Sequence, residues 1–296
     1  MKKLLLCLAL TAPAAHAEVT LIGGSVVDPA NWPASPWVGN CSSTLIGERV
    51  LLTAAHCVSN GSSKSFTIGT TRYSGSCTHH PQYSSTGFTA YHSMLVSGQQ
   101  PTTSEIPVGA TEDWALCYLT QPVAGVKFES VAASADFACA SGARLTLTGY
   151  GCQRWGGGID GKFRTGLAPV IQCPGSDQDT VTRGNVALCS GDSGGGAYIV
   201  KSDGSRFVVG VNSRSDTTVT SYLSSTYGAK FRDWARGWAT AKATKVCGLS
   251  PDAVNCREGS DEPDPPEPTC RTELGAYEAA KSAADAKFGA LKSCIE

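Results

Sequence analysis

The chain has 296 residues, enough for one large domain or two modest ones. Its 24 Lys and Arg residues nearly balance its 25 Asp and Glu residues, so the net charge is −1 and a basic nucleic-acid-binding protein is disfavoured. Hydrophobic residues make up 41% of the chain, too many for a disordered protein. The 33 Gly residues favour many short strands joined by turns. The 13 Cys residues, without any Cys-X-X-Cys pattern, favour an oxidising compartment.

The N-terminal segment has the pattern of a secretory signal peptide. Two lysines precede an apolar run, residues 4–12, which is followed by Ala15-His16-Ala17. This pattern predicts cleavage after Ala17 and secretion into the extracellular space or the periplasm. A membrane anchor is the alternative, but about nine apolar residues are too few for the ~20 that a spanning helix needs. Cleavage would remove Cys7 and leave an even number of cysteines, which could all pair.

Short β-prone runs follow from Thr20 to about Tyr227 and are bounded by Gly, Ser, Asn or Pro. Their spacing predicts an all-β domain built as antiparallel barrels or as a sandwich. The clearest runs are residues 50–53, 65–68, 114–119, 144–148 and 207–211.

Helical patterning is confined to the C-terminal part of the chain. Aromatic residues recur at helical spacing over about 229–245 and predict one helix that closes the domain. Residues 258–268 combine Pro with acidic side chains and predict an extended linker. An amphipathic pattern over 271–293 predicts a tail helix between Cys270 and Cys294. A continuous helix would hold these two cysteines ~36 Å apart, so either each pairs elsewhere or the helix is broken.

Two short motifs carry chemistry. Residues 53–57, TAAHC, place His56 at the end of a β-run, and residues 191–195, GDSGG, place Ser193 in a glycine-rich turn. Asp113 lies between them in the sequence EDWAL. A serine hydroxyl is a poor nucleophile until an imidazole takes its proton, and the imidazole needs a carboxylate to fix its tautomer. A phosphate-binding loop around Ser193 is disfavoured because no Lys follows it.

These motifs resemble those of the chymotrypsin and trypsin-like secreted serine proteases, over about residues 21–238. The resemblance implies an all-β fold of two antiparallel six-stranded β-barrels with a C-terminal helix. It implies that His56 is the general base and then the general acid, that Asp113 orients His56, and that Ser193 is the acylated nucleophile. The backbone N–H groups of Gly191 and Ser193 would form the oxyanion hole.

The resemblance also divides the chain into parts. In this family a new N-terminus pairs with the Asp before the nucleophile, here Asp192. The sequence Leu21-Ile22-Gly23-Gly24 resembles the usual start of the mature enzymes, which predicts Leu21 as the new N-terminus. No Lys or Arg precedes it, so a tryptic activator is disfavoured. The expected parts are a signal peptide at 1–17, a propeptide at 18–20, a serine protease domain at 21–247 and a linker with a helical tail at 248–296.

The resemblance indicates a specificity that is not tryptic. Ala187 stands six residues before the nucleophile, where relatives that cleave after Lys or Arg have Asp. Ser213 is the family's usual serine on the substrate-pairing strand, and Arg214 replaces the usual aromatic residue beside it. If Ser215 and Thr220 replace the glycines that keep the pocket open, the pocket is shallow and favours Ala, Val, Thr or Ser.

Two alternatives stay open. Ser190 and Ser215 resemble the polar lining of glutamate-specific relatives, although those relatives have a His where this chain has Asn212. A catalytically silent homologue that acts as a binding protein is the other, although such proteins usually lack a triad residue. We expect protein or peptide substrates and a protease inhibitor as partners, and a monomer. We expect no nucleic acid, no transmembrane segment in the mature chain, no cofactor and no metal.

The resemblance also suggests disulfide bonds. It implies a bridge between Cys41 and Cys57 beside the catalytic His, and two further bridges are proposed, Cys77 with Cys117 and Cys152 with Cys189. The pairing of six other cysteines stays open. These are Cys139, Cys173, Cys247, Cys256, Cys270 and Cys294.

Overall fold

A computed structural model describes most of the predicted protease domain. The described residues are 21–84, 88, 91, 93–95, 97–106, 112–134, 138–140, 142–173 and 179–257. The predicted signal peptide, propeptide, linker and tail helix lie outside them, as do Cys270 and Cys294. Within the described part, no helix combines the length and the apolar character that a bilayer crossing requires.

The predicted all-β double-barrel architecture is confirmed. The strands of the described chain are β1 (Ser25–Val26), β2 (Thr44–Gly47), β3 (Val50–Thr53), β4 (Ser63–Ile68), β5 (Thr71–His79), β6 (Ala115–Leu119), β7 (Ser130–Val131), β8 (Arg144–Gly149), β9 (Arg164–Gln172), β10 (Thr180–Arg183), β11 (Gly196–Val200), β12 (Arg206–Ser215) and β13 (Thr220–Ser225).

The first sheet is antiparallel, with the strand order β2-β3-β6-β5-β4. Strand β3 is apolar on both faces because both faces are covered. Leu51 points into the core of this sheet, whereas Val50 and Leu52 pack into a second core shared with the rest of the domain. Strand β3 ends at Thr53, three residues before His56. The buried strand therefore fixes the start of the short turn that carries the His56 side chain.

Within the described residues the first sheet has five strands and forms a half-barrel, where we expected a closed six-stranded barrel. The outer edge of β2 is occupied by single hydrogen bonds from irregular segments. The Leu45 N–H donates to the Ala34 carbonyl oxygen at 2.7 Å, and the Glu129 N–H donates to the Leu45 carbonyl oxygen at 2.9 Å. These contacts satisfy the edge of β2, so within the described residues it does not pair with β4.

The second sheet closes into a six-stranded barrel in the order β8-β9-β10-β13-β12-β11, and β11 returns to β8. Strand β1 pairs with β9, and the short strand β7 runs parallel to β12. Alternate residues of the barrel strands, among them Leu145, Leu147, Val209 and Leu223, point inward and form its core.

The helix α1 (Ala229–Ala241) packs Phe231, Ala235 and Trp238 against the shared core. It ends before the predicted limit at 245 because Ala243 adopts a left-handed φ of 48°. The chain then stays on the barrel as far as Arg257, whose N–H donates to the Phe128 carbonyl oxygen at 2.7 Å. Residues beyond the predicted boundary at 247 therefore still pack against the domain.

Disulfide bonds join all the cysteines of the described residues. The structure contains the three pairs proposed above, Cys41–Cys57, Cys77–Cys117 and Cys152–Cys189. Two further bonds, Cys139–Cys173 and Cys247–Cys256, pair four of the cysteines whose partners were open. The bond at Cys256 anchors the segment that follows α1.

Candidate active site

His56 and Asp113 meet at the junction of the two barrels. His56 lies in the short 3-10 turn Ala55–Cys57 that follows β3. Its backbone N–H donates to Asp113 Oδ1 at 2.9 Å, and its ring Nδ1 lies 2.7 Å from Asp113 Oδ2. The hydroxyl of Ser213 also donates to Oδ2, at 2.7 Å. A carboxylate that accepts these bonds fixes the ring orientation and leaves Nε2 of His56 as the ring nitrogen for a reacting hydroxyl.

Asp113 is fully buried, and its environment keeps it charged. Burial by itself raises the pKa of this carboxyl group, but the facing His56 and the hydrogen bonds from His56 and Ser213 outweigh it, so the pKa lies below its usual range. The preceding Glu112 adopts a left-handed φ of 43° and binds Lys230 of α1 at 2.6 Å. The helix therefore holds the loop that carries Asp113.

The Ser193 turn is attached to both barrels. The Ser42 N–H donates to the Ser193 carbonyl oxygen at 2.8 Å, and the Gly194 N–H donates to the Asn212 carbonyl oxygen at 2.8 Å. Gly191 has a φ of +102°, and a Cβ there would lie 2.9 Å from Ile159 Cδ1, so this position requires glycine. The N–H groups of Gly191 and Ser193 donate to no backbone carbonyl among the described residues, which suits them to bind an oxyanion.

Asp192 is fully buried beneath this turn. Its carboxylate accepts the N–H groups of Gly151 and Cys189, each at 2.8 Å. Burial raises the pKa of Asp192 to about 7 despite these bonds. Leu21 is also buried, with a φ of 51°, and the next residue forms a β-bridge with Ala187. The pairing of a new Leu21 N-terminus with Asp192 stays a prediction.

His56 and Ser193 both line a cavity of about 300 Å³. Of the predicted substrate-binding residues, Ser190, Ser213 and Ser215 line it. Ala187 and Thr220 are not in its lining: Ala187 is buried in the bridge to the N-terminal segment, and the Thr220 hydroxyl accepts a bond from Arg183 at 3.1 Å.

Two serines join the walls of this cavity. The Ser215 hydroxyl donates to the Leu188 carbonyl oxygen at 2.5 Å, and the Leu188 N–H donates to the Ser221 hydroxyl at 3.0 Å. Ser221 stands opposite Ser215 in the β12–β13 ladder. The first of these bonds joins two residues of the cavity lining, Ser215 and Leu188.

Arg214 forms an ion pair that sequence reasoning missed. Its side chain is fully buried and binds Asp179 at 2.6 Å, and it also donates to the Ser213 hydroxyl at 3.3 Å. Burial raises the pKa of Asp179 to about 6 in spite of the guanidinium. The ring of Tyr222 lies 4.9 Å from the guanidinium carbon. The only sequence signal was an arginine at a position that is usually aromatic.

Two aromatic residues that precede Asp113 in the sequence also contact the site, and sequence reasoning missed both. The ring of Phe88 stacks on the His56 ring with centroids 5.3 Å apart. The Tyr91 hydroxyl donates to the Ser215 carbonyl oxygen at 3.0 Å and accepts the Ser215 N–H at 3.2 Å. Neither residue lies in a recognisable motif.

A cluster of His56, Cys41 and Cys57 has atoms close enough together to hold a metal ion. Both cysteine sulfurs are joined to each other in a disulfide bond, however. A cysteine binds a metal ion as a thiolate, and the disulfide leaves His56 as the one possible ligand of the three, so this cluster does not fit a metal site.

Comparisons with known proteins agree with this fold. A family model described as Trypsin matches residues 21–235. Two similar solved structures are titled "atomic resolution structure of HBP" and "human heparin binding protein". Each is 19% identical with a TM-score of 0.52, and the matches cover 74% and 73% of this chain and 96% and 95% of theirs. At this identity they establish the fold alone. No curated protein matches the chain significantly.

Proposed function

Because this chain belongs to the trypsin family, we propose that it is a secreted serine endopeptidase that cleaves after small residues. One observation carries the proposal: His56, Asp113 and Ser213 form a hydrogen-bonded chain that reaches the cavity lined by Ser193. The assembled network matches the chemistry that acyl transfer to a serine requires.

Each group has a defined part in the proposed reaction. His56 takes the proton of the Ser193 hydroxyl as that oxygen attacks the peptide carbonyl, and then gives it to the leaving amine. Asp113 stabilises the imidazolium that forms between these steps. The N–H groups of Gly191 and Ser193 bind the oxyanion, and one such donor contributes about 10²–10³-fold in turnover. Water then hydrolyses the acyl-enzyme by the same route.

The cavity supports a preference for Ala, Val, Thr or Ser before the scissile bond. The bond between Ser215 and the Leu188 carbonyl limits the depth available to a side chain. An Arg or Lys side chain would meet no carboxylate at Ala187 and would be buried without a countercharge. A glutamate side chain finds no available cation in Arg214, because that guanidinium is already paired with Asp179.

Maturation and location belong to the same proposal. The five disulfide bonds of the described residues need an oxidising compartment, in agreement with secretion after cleavage of a signal peptide. Removal of residues 18–20 would expose Leu21, and a preference for small residues would permit self-cleavage after Thr20. Protein or peptide substrates and a protease inhibitor are the proposed partners of a monomeric enzyme.

A digest of a peptide library tests the activity and the specificity together. The processed protein and its Ser193→Ala variant are incubated with the library, and the cut sites are mapped by mass spectrometry. We expect cuts after small residues that disappear in the variant. Dominant cleavage after Lys or Arg would refute the specificity, dominant cleavage after Glu would support the acidic alternative, and identical digests would refute the proteolytic function.

A further inference from the structure

The end of β12 presents a strand edge to the cavity. On one side, Arg214 and Ser215 pair with β13. On the other side, the ladder with β11 ends at Val211, and residues 213–215 line the cavity. Such an edge can accept an extended peptide through its backbone N–H and C=O groups. In an antiparallel ladder, groups that point to the same side recur at every second residue. The register of β12 shifts between Asn212 and Arg214, so the alternation is counted from Ser215, whose N–H and carbonyl oxygen face this side because they bind Tyr91. Ser213 and Ser215 are therefore the two positions for pairing.

Tyr91 already occupies one of these positions. Its hydroxyl binds both the carbonyl oxygen and the N–H of Ser215, at 3.0 and 3.2 Å. These are the two groups that a peptide residue opposite Ser215 would use. A peptide strand would have to lie ~4.8 Å from β12, in the space that the phenol ring fills.

The Tyr91 side chain is built into the wall of the site. It is only 5% exposed and packs in a cluster with Phe88, Ile106, Val181 and Tyr222. Phe88 in turn stacks on the His56 ring. Removing Tyr91 from Ser215 would expose this cluster and leave two backbone groups to be satisfied by water.

We propose that Tyr91 determines how much of a substrate can pair with the enzyme, an inference that rests on the proposed proteolytic function. A peptide that runs antiparallel to β12, with its scissile carbonyl beside Ser193, places the residue before the scissile bond opposite Ser213. The residue two positions earlier falls opposite Ser215, where Tyr91 stands. Of the residues before the scissile bond, only the one opposite Ser213 can therefore pair, and a chain longer than two residues has to turn away from the edge.

Substrates of increasing length test this proposal. The series consists of oligoalanine 4-nitroanilides with one to four alanines and an uncapped amino terminus, so that the third alanine brings both a new carbonyl group and a new N–H donor. The kcat/KM is measured for each. For the wild type we expect less than about a threefold gain on addition of the third alanine. A free Ser215 would give about a tenfold gain or more, from two new hydrogen bonds. A tenfold gain at the third alanine in the wild type would overturn the proposal.

Two variants separate the ring from its hydroxyl. Tyr91→Ala opens the strand edge, and we expect it to gain about tenfold or more in the ratio of three-alanine to two-alanine kcat/KM. Tyr91→Phe retains the blocking ring and should keep the wild-type ratio. Circular dichroism checks the fold of both variants. An unchanged ratio in folded Tyr91→Ala would count against the proposal, and if that variant does not fold, the wild-type series decides.

Failure of the proteolytic function would be recognised separately. In that case no substrate of any length is hydrolysed faster by the wild type than by Ser193→Ala. The affinities of peptide boronic acids with two and three alanines then decide the role of Tyr91, because their binding needs no turnover. Equal affinities for the wild type support the proposal, and tenfold tighter binding of the longer compound overturns it.

Discussion

The buried pair of Arg214 and Asp179 permits a quantitative test of the structure around the site. The two side chains are 2.6 Å apart, and Asp179 is only 5% exposed. Arg214→Met fills similar space but leaves a buried carboxylate without its cation. Breaking a buried pair in this way costs about 3–5 kcal/mol. In a domain of this size the melting temperature should fall by about 6–20 °C.

The loss of stability in Arg214→Met should increase as the pH rises. Burial already raises the pKa of Asp179 to about 6, from 3.8 in an unfolded chain, so ionisation of this group opposes folding as the pH rises through that window. Without Arg214 the pKa rises further. The difference in unfolding free energy between wild type and Arg214→Met should therefore be larger at pH 8 than at pH 5.

An exposed pair provides a matched control. Lys245 and Asp252 are also 2.6 Å apart, but their side chains are 54% and 63% exposed. Lys245→Met should therefore cost less than about 1 kcal/mol. Urea denaturation at both pH values measures these differences, and Arg214→Met combined with Asp179→Asn should recover most of the loss. Equal losses in the two single variants, or no recovery in the double variant, would refute the reasoning from burial.

Two further predictions concern the triad and the nucleophile turn. Ser213→Ala removes a hydrogen bond to buried Asp113 and should lower the free energy of unfolding by about 1.5–3 kcal/mol in urea denaturation at neutral pH. Because the pKa of Asp113 is lowered in the fold, the difference in stability between wild type and variant should shrink as the pH falls through that pKa. Gly151→Ala would place a Cβ 2.4 Å from Asp192 Cγ and should lower kcat about 10²-fold or more. Gly158→Ala, whose Cβ meets nothing within 4 Å, should keep full activity, and equal kcat values in the two variants would contradict the role of the turn.

The local features of the fold could be predicted because each has a local cause. Residues 50–53 form a strand because they are a short apolar run that ends at a turn, and residues 229–241 form a helix because their aromatic residues recur at helical spacing. His56, Asp113 and Ser193 could be identified because their chemistry restricts the residues around them.

Features that depend on distant contacts could not be predicted. Asp179 lies 35 positions from Arg214 in the sequence, and nothing in either segment indicates the other. Thr220 was predicted to shape the pocket with Ser215, but the β12–β13 ladder places Ser221 opposite Ser215, a register that the sequence does not show. The open edge of the first sheet depends on single bonds from residues 34 and 129, which have no periodic pattern.

The disulfide bonds also divide into those that the sequence indicates and those that depend on distant contacts. The bridge beside the catalytic His could be inferred from the TAAHC motif, whereas Cys139–Cys173 and Cys247–Cys256 could not. A disulfide requires a short distance between its Cα atoms, and both of these pairs have 5.5 Å. That distance results from the closure of the second barrel and the return of the chain after the helix.

The central claim is that His56 and Asp113 activate Ser193 as a nucleophile. The most direct test is the reaction of the processed protein with a fluorophosphonate, followed by mass spectrometry of the labelled peptides and by the rate of labelling. We predict a single adduct on Ser193, formed much more slowly in His56→Ala. An intact, processed protein that takes no label at Ser193, or that is labelled at the same rate without His56, would contradict the account.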